Sequence, residues 1–72
     1  MHRDPVSSSN LLSVGYDPRR KLLQIEFQNG NVYEFNGIEE DVWKGMRDSE
    51  SKGQFFQRNI RPVFTGRLVV EE

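Results

Sequence analysis

The sequence lacks cysteine and has a single histidine among its 72 residues, and both shortages restrict its chemistry. Without cysteine it forms neither disulfides nor thiolate metal sites, and the absence fits a reducing compartment. The histidine, His2, lies near the chain terminus, so the serines Ser7–Ser9 lack the positioned base that a serine nucleophile requires. We therefore expect no enzyme activity, no catalytic residue, no metal site and no cofactor.

Long apolar runs are also missing. No run approaches the ~20 residues of a membrane-spanning helix, and the first residues, Met1–Pro5, lack the apolar core of a signal peptide. These absences predict a cytoplasmic protein with no membrane partner. The length of 72 residues predicts a single domain over residues 1–72.

A strong excess of either charge is absent as well. The formal net charge is −1, which argues against strong nonspecific nucleic-acid binding. The charges are nevertheless segregated, because residues 38–50 contain the acidic run Glu39–Asp41 and two further acids, whereas residues 51–70 contain cations and no acid. We interpret the acidic run as a helix start, where the dipole favours negative charge, and not as a metal site.

Alternating apolar and polar side chains over residues 21–28 and 31–35 predict an antiparallel hairpin. A two-residue loop would place Ile25 opposite Glu34, a charge among apolar side chains. We therefore predict a three-residue loop at residues 28–30, with a bulge and Gly30 in the left-handed conformation. The predicted cross-strand pairs are Ile25 with Tyr33 and Leu23 with Phe35.

An earlier strand is predicted over Leu11–Tyr16, where Leu12, Val14 and Tyr16 share one face. The turn chemistry that follows predicts a four-residue loop, Asp17–Arg20. The expected pairs across this loop are Val14 with Leu23 and Leu12 with Ile25.

Two short helices are predicted to follow the strands. The first covers about residues 39–49, and the second starts at Ser51, which has capping-box spacing to Gln54, and stops at Pro62. The tail, residues 63–70, is expected to be extended, either adding an edge strand or packing Phe64 over the core. The predicted fold is therefore α+β: a small antiparallel three-stranded sheet, then two short helices packed on one face, then an extended C-terminal tail.

A set of short motifs occurs in order along the chain. They are Val6 with Ser8-Ser9, Gly15-Tyr16-Asp17, Gly30 before Val32-Tyr33-Glu34-Phe35, Ser51-Lys52-Gly53, Phe55-Phe56 and Ile60-Arg61. This set resembles the KTSC family, which is named after the C-terminus of some lysyl-tRNA synthetases and also occurs alone in bacterial and phage proteins. The resemblance covers about residues 6–68 and implies one KTSC-like domain.

The resemblance also implies which residues matter. Family-motif or structural roles fall to Gly15, Tyr16, Asp17, Gly30, Tyr33, Phe35, Ser51, Gly53, Phe56 and Ile60. The synthetase fusions imply RNA binding by analogy. Three positions depart from the family pattern, because Phe35 replaces a tyrosine, Gln57 an asparagine and Glu39 a proline.

The acid-free stretch is the predicted nucleic-acid interface. Its cations, beside an exposed aromatic ring, suit single-stranded RNA or DNA, and they are Lys52, Arg58, Arg61 and Arg67. The alternative is an ordinary solvated helix face, with Arg61 tied to Asp17 or to a carbonyl group. Tyr33 and Phe35 are expected in the core and not on an exposed stacking platform.

Two functions remain open from the sequence. The first is a noncatalytic module that binds RNA or another single-stranded nucleic acid through the basic C-terminal third. The second is a protein-interaction or adaptor module that uses an edge strand or the apolar tail, Leu68–Val70.

Overall fold

The computed structural model describes residues 1–69, which form an α+β domain with one sheet and a helical layer on one of its faces. The sheet has five strands in chain order, and every neighbouring pair is antiparallel. The strands are β1 (Asp4–Pro5), β2 (Leu11–Asp17), β3 (Leu22–Phe27), β4 (Val32–Asn36) and β5 (Gly66–Val69). The helical layer consists of α1 (Glu40–Asp48), α2 (Lys52–Phe55) and a π-helical segment (Phe56–Ile60) that continues α2.

The hairpin between β3 and β4 has the predicted register. Ile25 lies opposite Tyr33, and Leu23 lies opposite Phe35. The loop closes with a 2.9 Å bond from the Gly30 N–H to the Phe27 carbonyl, and Gly30 has φ +91°. Glycine adopts this left-handed conformation at little cost in free energy. Gly30 therefore allows the turn at the position that the alternation of apolar and polar side chains predicts.

The expectation of a three-stranded sheet is wrong, because both ends of the chain add a strand. β1 pairs with β2 over only two residues, one of them a proline, which is tolerated at an edge. It fits because Gly15 has no side chain, and a Cβ there would collide with the carbonyl oxygen of His2. At the other edge, β5 pairs with β4 and makes the tail an edge strand, one of the two predicted outcomes.

The predicted pairing of β2 with β3 is also wrong, by two residues, because the loop between them begins one residue later than predicted. Val14 lies opposite Ile25 because the four-residue loop is Pro18–Lys21 and not Asp17–Arg20. Asp17 remains in the strand, and its carboxylate accepts the Arg19 N–H at 3.0 Å. Lys21 ends the loop at φ 53°, a left-handed position that the sequence did not reveal.

An irregularity at the start of β2 changes which leucine is buried. The register shifts between Leu11 and Ser13, so Leu11 enters the core and Leu12 is 41% exposed. The prediction that Leu12 shares the core face with Val14 therefore fails at this residue. A bulge accounts for the change, because one extra residue reverses the facing of everything before it.

The helical layer forms near the predicted positions. The acids of the first turn of α1, Glu40 and Asp41, lie where the helix dipole favours them. The Ser51 hydroxyl caps α2 by accepting the Gln54 N–H at 3.4 Å. The buried core beneath this layer consists of Leu11, Val14, Leu23, Ile25, Phe35, Ile38, Met46, Phe56 and Ile60.

Phe64 packs against this core and is partly buried, so the tail does both things expected of it. In the described part of the chain, no helix has the length and apolar character needed to cross a membrane.

Candidate ligand-binding cleft

The sheet face turned away from the helices, the outer face, carries side chains of Ser13, Gln24, Glu26, Glu34 and Arg67. A continuous chain of hydrogen bonds crosses it. The Arg3 guanidinium donates to Gln24 at 2.9 Å, the Gln24 amide donates to Glu34 at 2.8 Å, and Arg67 donates to Glu34 at 2.7 Å. Positive and negative groups are therefore matched on this face.

Glu34 is the centre of the outer face. Its side chain is only 13% exposed. The hydrogen bond from Gln24, followed by the bond from Arg67, lowers the pKa of its carboxyl below the ordinary value. Gln24 was expected to face water but is 9% exposed, because it joins two charged neighbours.

The helical side of the sheet contains an open cleft of about 770 Å³. It lies between the tip of the β3–β4 hairpin, the π-helical segment and the start of the tail. The cleft is lined by Ser9, Asn10, Phe27, Gln28, Asn29, Tyr33, Phe35, Phe56, Gln57, Arg61, Phe64, Thr65 and Gly66. Among residues 1–69, no Asp, Glu or His lines the cleft.

Aromatic rings build the apolar walls of the cleft. The Phe27 ring packs edge-on against Tyr33 at 5.6 Å and against Phe56 at 5.5 Å, between ring centroids. Phe35 meets Phe56 in the same manner at 5.3 Å. Phe35 and Phe56 are buried, as predicted, whereas Tyr33 and Phe64 are only half-buried and keep part of their rings open.

The Tyr33 hydroxyl forms no hydrogen bond with any side chain or backbone group of residues 1–69. The other tyrosine differs, because the Tyr16 hydroxyl donates to the Ile38 carbonyl at 2.6 Å and its ring stacks on Trp43 at 5.4 Å. Burial, with Glu40 as a smaller cause, raises the pKa of Tyr16. The Tyr16 hydroxyl therefore stabilises the fold, whereas the Tyr33 hydroxyl makes no bond with residues 1–69.

Arg61 is the cation of the cleft. Its guanidinium donates to the Gln57 side-chain oxygen at 3.0 Å and forms no ion pair within residues 1–69. It does not bind Asp17, which instead pairs with Arg20 at 2.8 Å, an interaction that lowers the Asp17 pKa. Arg61 therefore lines the cleft without a carboxylate partner among residues 1–69, and the Gln57 amide orients it.

The other predicted nucleic-acid-binding residues lie in different places. Arg58 is exposed on the π-helical segment, three positions before Arg61, and has no ion-pair partner in the described chain. The Lys52 ammonium donates to the Ser49 carbonyl at 3.2 Å. Arg67 is on the outer face, bound to Glu34. Arg58 and Arg61 are both exposed on the helical layer, but only Arg61 lines the cleft, and Arg67 lies on the outer face of the sheet.

Most of the residues that carry the family resemblance build the fold. Gly15 admits the N-terminal segment, Gly30 makes the hairpin turn, and Ser51 caps a helix. Gly53 is buried against Ser8, whose hydroxyl would lie 3.1 Å from a Cβ at that position. Tyr16, Asp17, Phe35, Phe56 and Ile60 are held by the bonds or burial described above. Tyr33 combines a motif position with a half-open aromatic wall of the cleft, and the motif residues Ser9 and Arg61 also line it.

The amide side chains of the cleft were missed by sequence reasoning. Asn10 precedes β2, Gln28 and Asn29 form the hairpin tip, and Gln57 is on the π-helical segment. They are remote in the sequence, so spacing alone does not connect them. The one signal in the sequence is the amide-rich hairpin tip, Gln28-Asn29, whose residue types also suit a turn.

Comparison with known proteins places the chain in a family. The family model of the KTSC domain matches residues 7–64. A crystal structure of a KTSC domain protein from Yersinia pestis has a TM-score of 0.89 and 38% identity, covering 96% of this chain and 97% of that one.

Two sequence relatives differ greatly in length. An uncharacterized protein from Stutzerimonas stutzeri is 32% identical over 86% of this chain and 87% of its own length. A lysine–tRNA ligase from Nostoc sp. is 33% identical over 68% of this chain, a segment that makes up only 9% of the ligase. The chain therefore belongs to the KTSC domain family.

Proposed function

We propose that this protein is a noncatalytic binding module for single-stranded RNA, which it holds in the cleft. The observation that carries the proposal is the lining itself: half-open aromatic rings and amides surround an arginine, and no carboxylate from the described residues is among them. Stacking on aromatic rings and attraction between arginine and phosphate are the two main sources of single-strand affinity.

The distribution of ion pairs supports this surface. Five other cations are paired with carboxylates: Arg20 with Asp17, Lys21 with Glu39, Lys44 with Glu40, Arg47 with Asp48 and Arg67 with Glu34. Arg58 and Arg61 lack such partners within residues 1–69. A phosphate would find these two guanidinium groups uncompensated, so binding there displaces no internal ion pair.

The lining also supports a noncatalytic role. Within residues 1–69 it contains no histidine or carboxylate to act as a general base. The His2 ring is on the exposed N-terminal segment, 2.8 Å from Asp4. The occurrence of a related segment in a lysine–tRNA ligase supports RNA as the ligand class.

Fluorescence anisotropy with a labelled single-stranded RNA of mixed sequence tests the proposal. Arg58→Gln with Arg61→Gln should reduce binding strongly and lower the salt slope by roughly 0.7 for each lost phosphate contact. A matched control, Arg19→Gln with Lys44→Gln, removes the same charge from exposed residues outside the cleft and should leave affinity nearly unchanged.

Two results would contradict RNA binding through the cleft. The first is no affinity of the wild-type protein at low salt. The second is equal weakening of binding by both double variants, as a diffuse charge effect would produce. Circular dichroism on each variant ensures that a loss of binding is not a loss of fold.

A second candidate, a protein-interaction module, is favoured by a separate observation. β5 is an edge strand, and its Leu68 side chain is 48% exposed next to Tyr33. Exposed edges can accept a partner strand. Deletion of the residues after Arg67 should then abolish capture of a partner while sparing RNA affinity; Val70, part of the apolar tail in that hypothesis, lies outside the described residues.

A further inference from the structure

We infer that the cleft accommodates one unpaired base of the RNA strand, with Gln57 and the hairpin amides bound to the edge of the base and Arg61 bound to an adjacent phosphate. This inference rests on the proposed function and gives it a specific geometry. It predicts that base contacts, and not phosphate contacts alone, supply a large part of the affinity.

The aromatic rings at the walls of the cleft favour a base as the part of the strand that enters it. The volume of the cleft, about 770 Å³, is in the range of small-molecule sites. The half-open rings of Tyr33 and Phe64 offer π-faces or edges at its walls, while Phe27, Phe35 and Phe56 are fixed to one another by edge-on contacts. A flat aromatic ligand replaces water against these surfaces without any rearrangement of the core.

The polar groups match the edge of a base. Asparagine and glutamine each present a donor and an acceptor side by side, which is the arrangement that base edges bind in pairs of hydrogen bonds. The cleft contains Asn10, Gln28, Asn29 and Gln57. Gln28 already donates to the backbone carbonyls of Ser8 and Leu11, at 3.3 and 3.2 Å, and the Asn29 oxygen accepts the Asn31 N–H at 3.0 Å. Both amides are therefore fixed in place, and they offer a base the Gln28 oxygen and the Asn29 amino group.

Gln57 connects the base-binding and phosphate-binding parts of the cleft. Its oxygen holds the Arg61 guanidinium at 3.0 Å, and both side chains are exposed on the helical layer. A guanidinium has five N–H donors, so one bond to Gln57 leaves others for a phosphate. The unbonded Tyr33 hydroxyl offers one further polar contact at the opposite wall.

The first experiment separates base contacts from phosphate contacts. Anisotropy is measured with an RNA of about ten nucleotides and with the same strand carrying abasic riboses at its central positions. The two strands have equal phosphate charge. We expect the abasic strand to bind about tenfold more weakly. Equal affinity would overturn the inference and leave the proposed function intact.

The second experiment uses a matched pair of isosteric substitutions. Gln57→Glu places a carboxylate beside Arg61, whereas Gln54→Glu makes the same charge change on α2, outside the cleft lining. We expect Gln57→Glu to weaken binding of the intact RNA about tenfold and Gln54→Glu to change it little. Both positions are exposed, so both variants should fold.

Tyr33→Phe completes the test, because it removes only a hydroxyl that the described chain does not use. A several-fold loss for the intact RNA and no change for the abasic strand would support a base contact at this wall. Equal effects of Gln57→Glu and Gln54→Glu would overturn the inference. Absence of any RNA binding by the wild-type protein would instead remove the proposed function itself, and the inference with it.

Discussion

The outer face of the sheet and the cleft use similar side chains in opposite ways. On the outer face, Arg67 and Arg3 end a chain of hydrogen bonds centred on Glu34. In the cleft, Arg61 has only the neutral Gln57 as its partner among residues 1–69. The same residue type stabilises the fold where a carboxylate accompanies it, and is available to a ligand where only an amide does. The net charge of the protein therefore does not indicate which cations are available to a ligand. The presence or absence of a carboxylate partner for each cation does.

The largest effect should come from the ring that supports the cleft from below. Phe56 is 3% exposed and packs against both Phe27 and Phe35. Phe56→Ala should lower the free energy of unfolding by about 3–5 kcal/mol, measured by urea denaturation. Val63→Ala, at a residue 71% exposed, is the control and should change it little. A Phe56→Ala protein with unchanged stability would show that the cleft does not rest on the core.

The hairpin that carries the cleft amides should be the next most sensitive element. Gly30→Val should lower the free energy of unfolding by at least about 1 kcal/mol, because valine is strained at the left-handed φ of +91°. Nothing lies within 4 Å of a Cβ there, so the cost comes from the backbone alone. Gly30→Asn should cost less, since asparagine tolerates this conformation. Equal costs for both variants would rule out this explanation.

Removing the central carboxylate should weaken the outer face by about 1 kcal/mol. Glu34→Gln should also change the response to acid. Because the pKa of Glu34 is lowered in the fold, its stabilisation is complete above the ordinary glutamate pKa, about 4.3, and is lost as the pH falls through the folded value. The difference between wild type and Glu34→Gln should therefore shrink as the pH falls below about 4.

Urea denaturation across that pH range measures the effect of Glu34→Gln. Glu40→Gln, which breaks an exposed i,i+4 pair with Lys44, is the control and should cost less at neutral pH. A difference that grows toward low pH would contradict the assigned role of Glu34.

The smallest expected effect compares the two arginines directly. Arg67→Gln should cost about 0–1 kcal/mol and should raise the pKa of Glu34, which NMR titration can follow. Arg61→Gln should leave that pKa where it is, because Arg61 has no carboxylate partner within residues 1–69. If both substitutions shift the Glu34 pKa equally, the two faces are not electrostatically separate.

Much of the fold could be predicted from the alternation of apolar and polar side chains along the strands. The β3–β4 register followed from keeping Glu34 away from Ile25, and the cap of α2 followed from the spacing of Ser51 and Gln54. The incorrect predictions arose where the backbone departs from regular geometry at a single residue and nothing in the sequence indicates it. The bulge before Ser13 exposes Leu12, and the left-handed Lys21 shifts a loop.

The candidate site was less predictable than the fold. The acid-free stretch led to Arg58 and Arg61, but it also led to Arg67, because composition does not show on which face of a sheet a residue lies. Asn10 and Gln57 both line the cleft, but they are far apart in the sequence and share a site only once the sheet and helices have packed. β1 was missed because a two-residue strand containing proline depends on its neighbour, Gly15, and not on its own propensity.

The order of the strands in the sheet has a consequence for the folding pathway. β2, β3 and β4 are joined by short turns, so their pairing is local and is expected early. β5 pairs with β4 only after residues 37–65 have folded into the helical layer, which closes a much longer loop. Substitutions in the two hairpins should therefore slow refolding, whereas those in β5 should mainly accelerate unfolding. The two sides of the cleft, hairpin and tail, would then be assembled at opposite ends of the folding reaction.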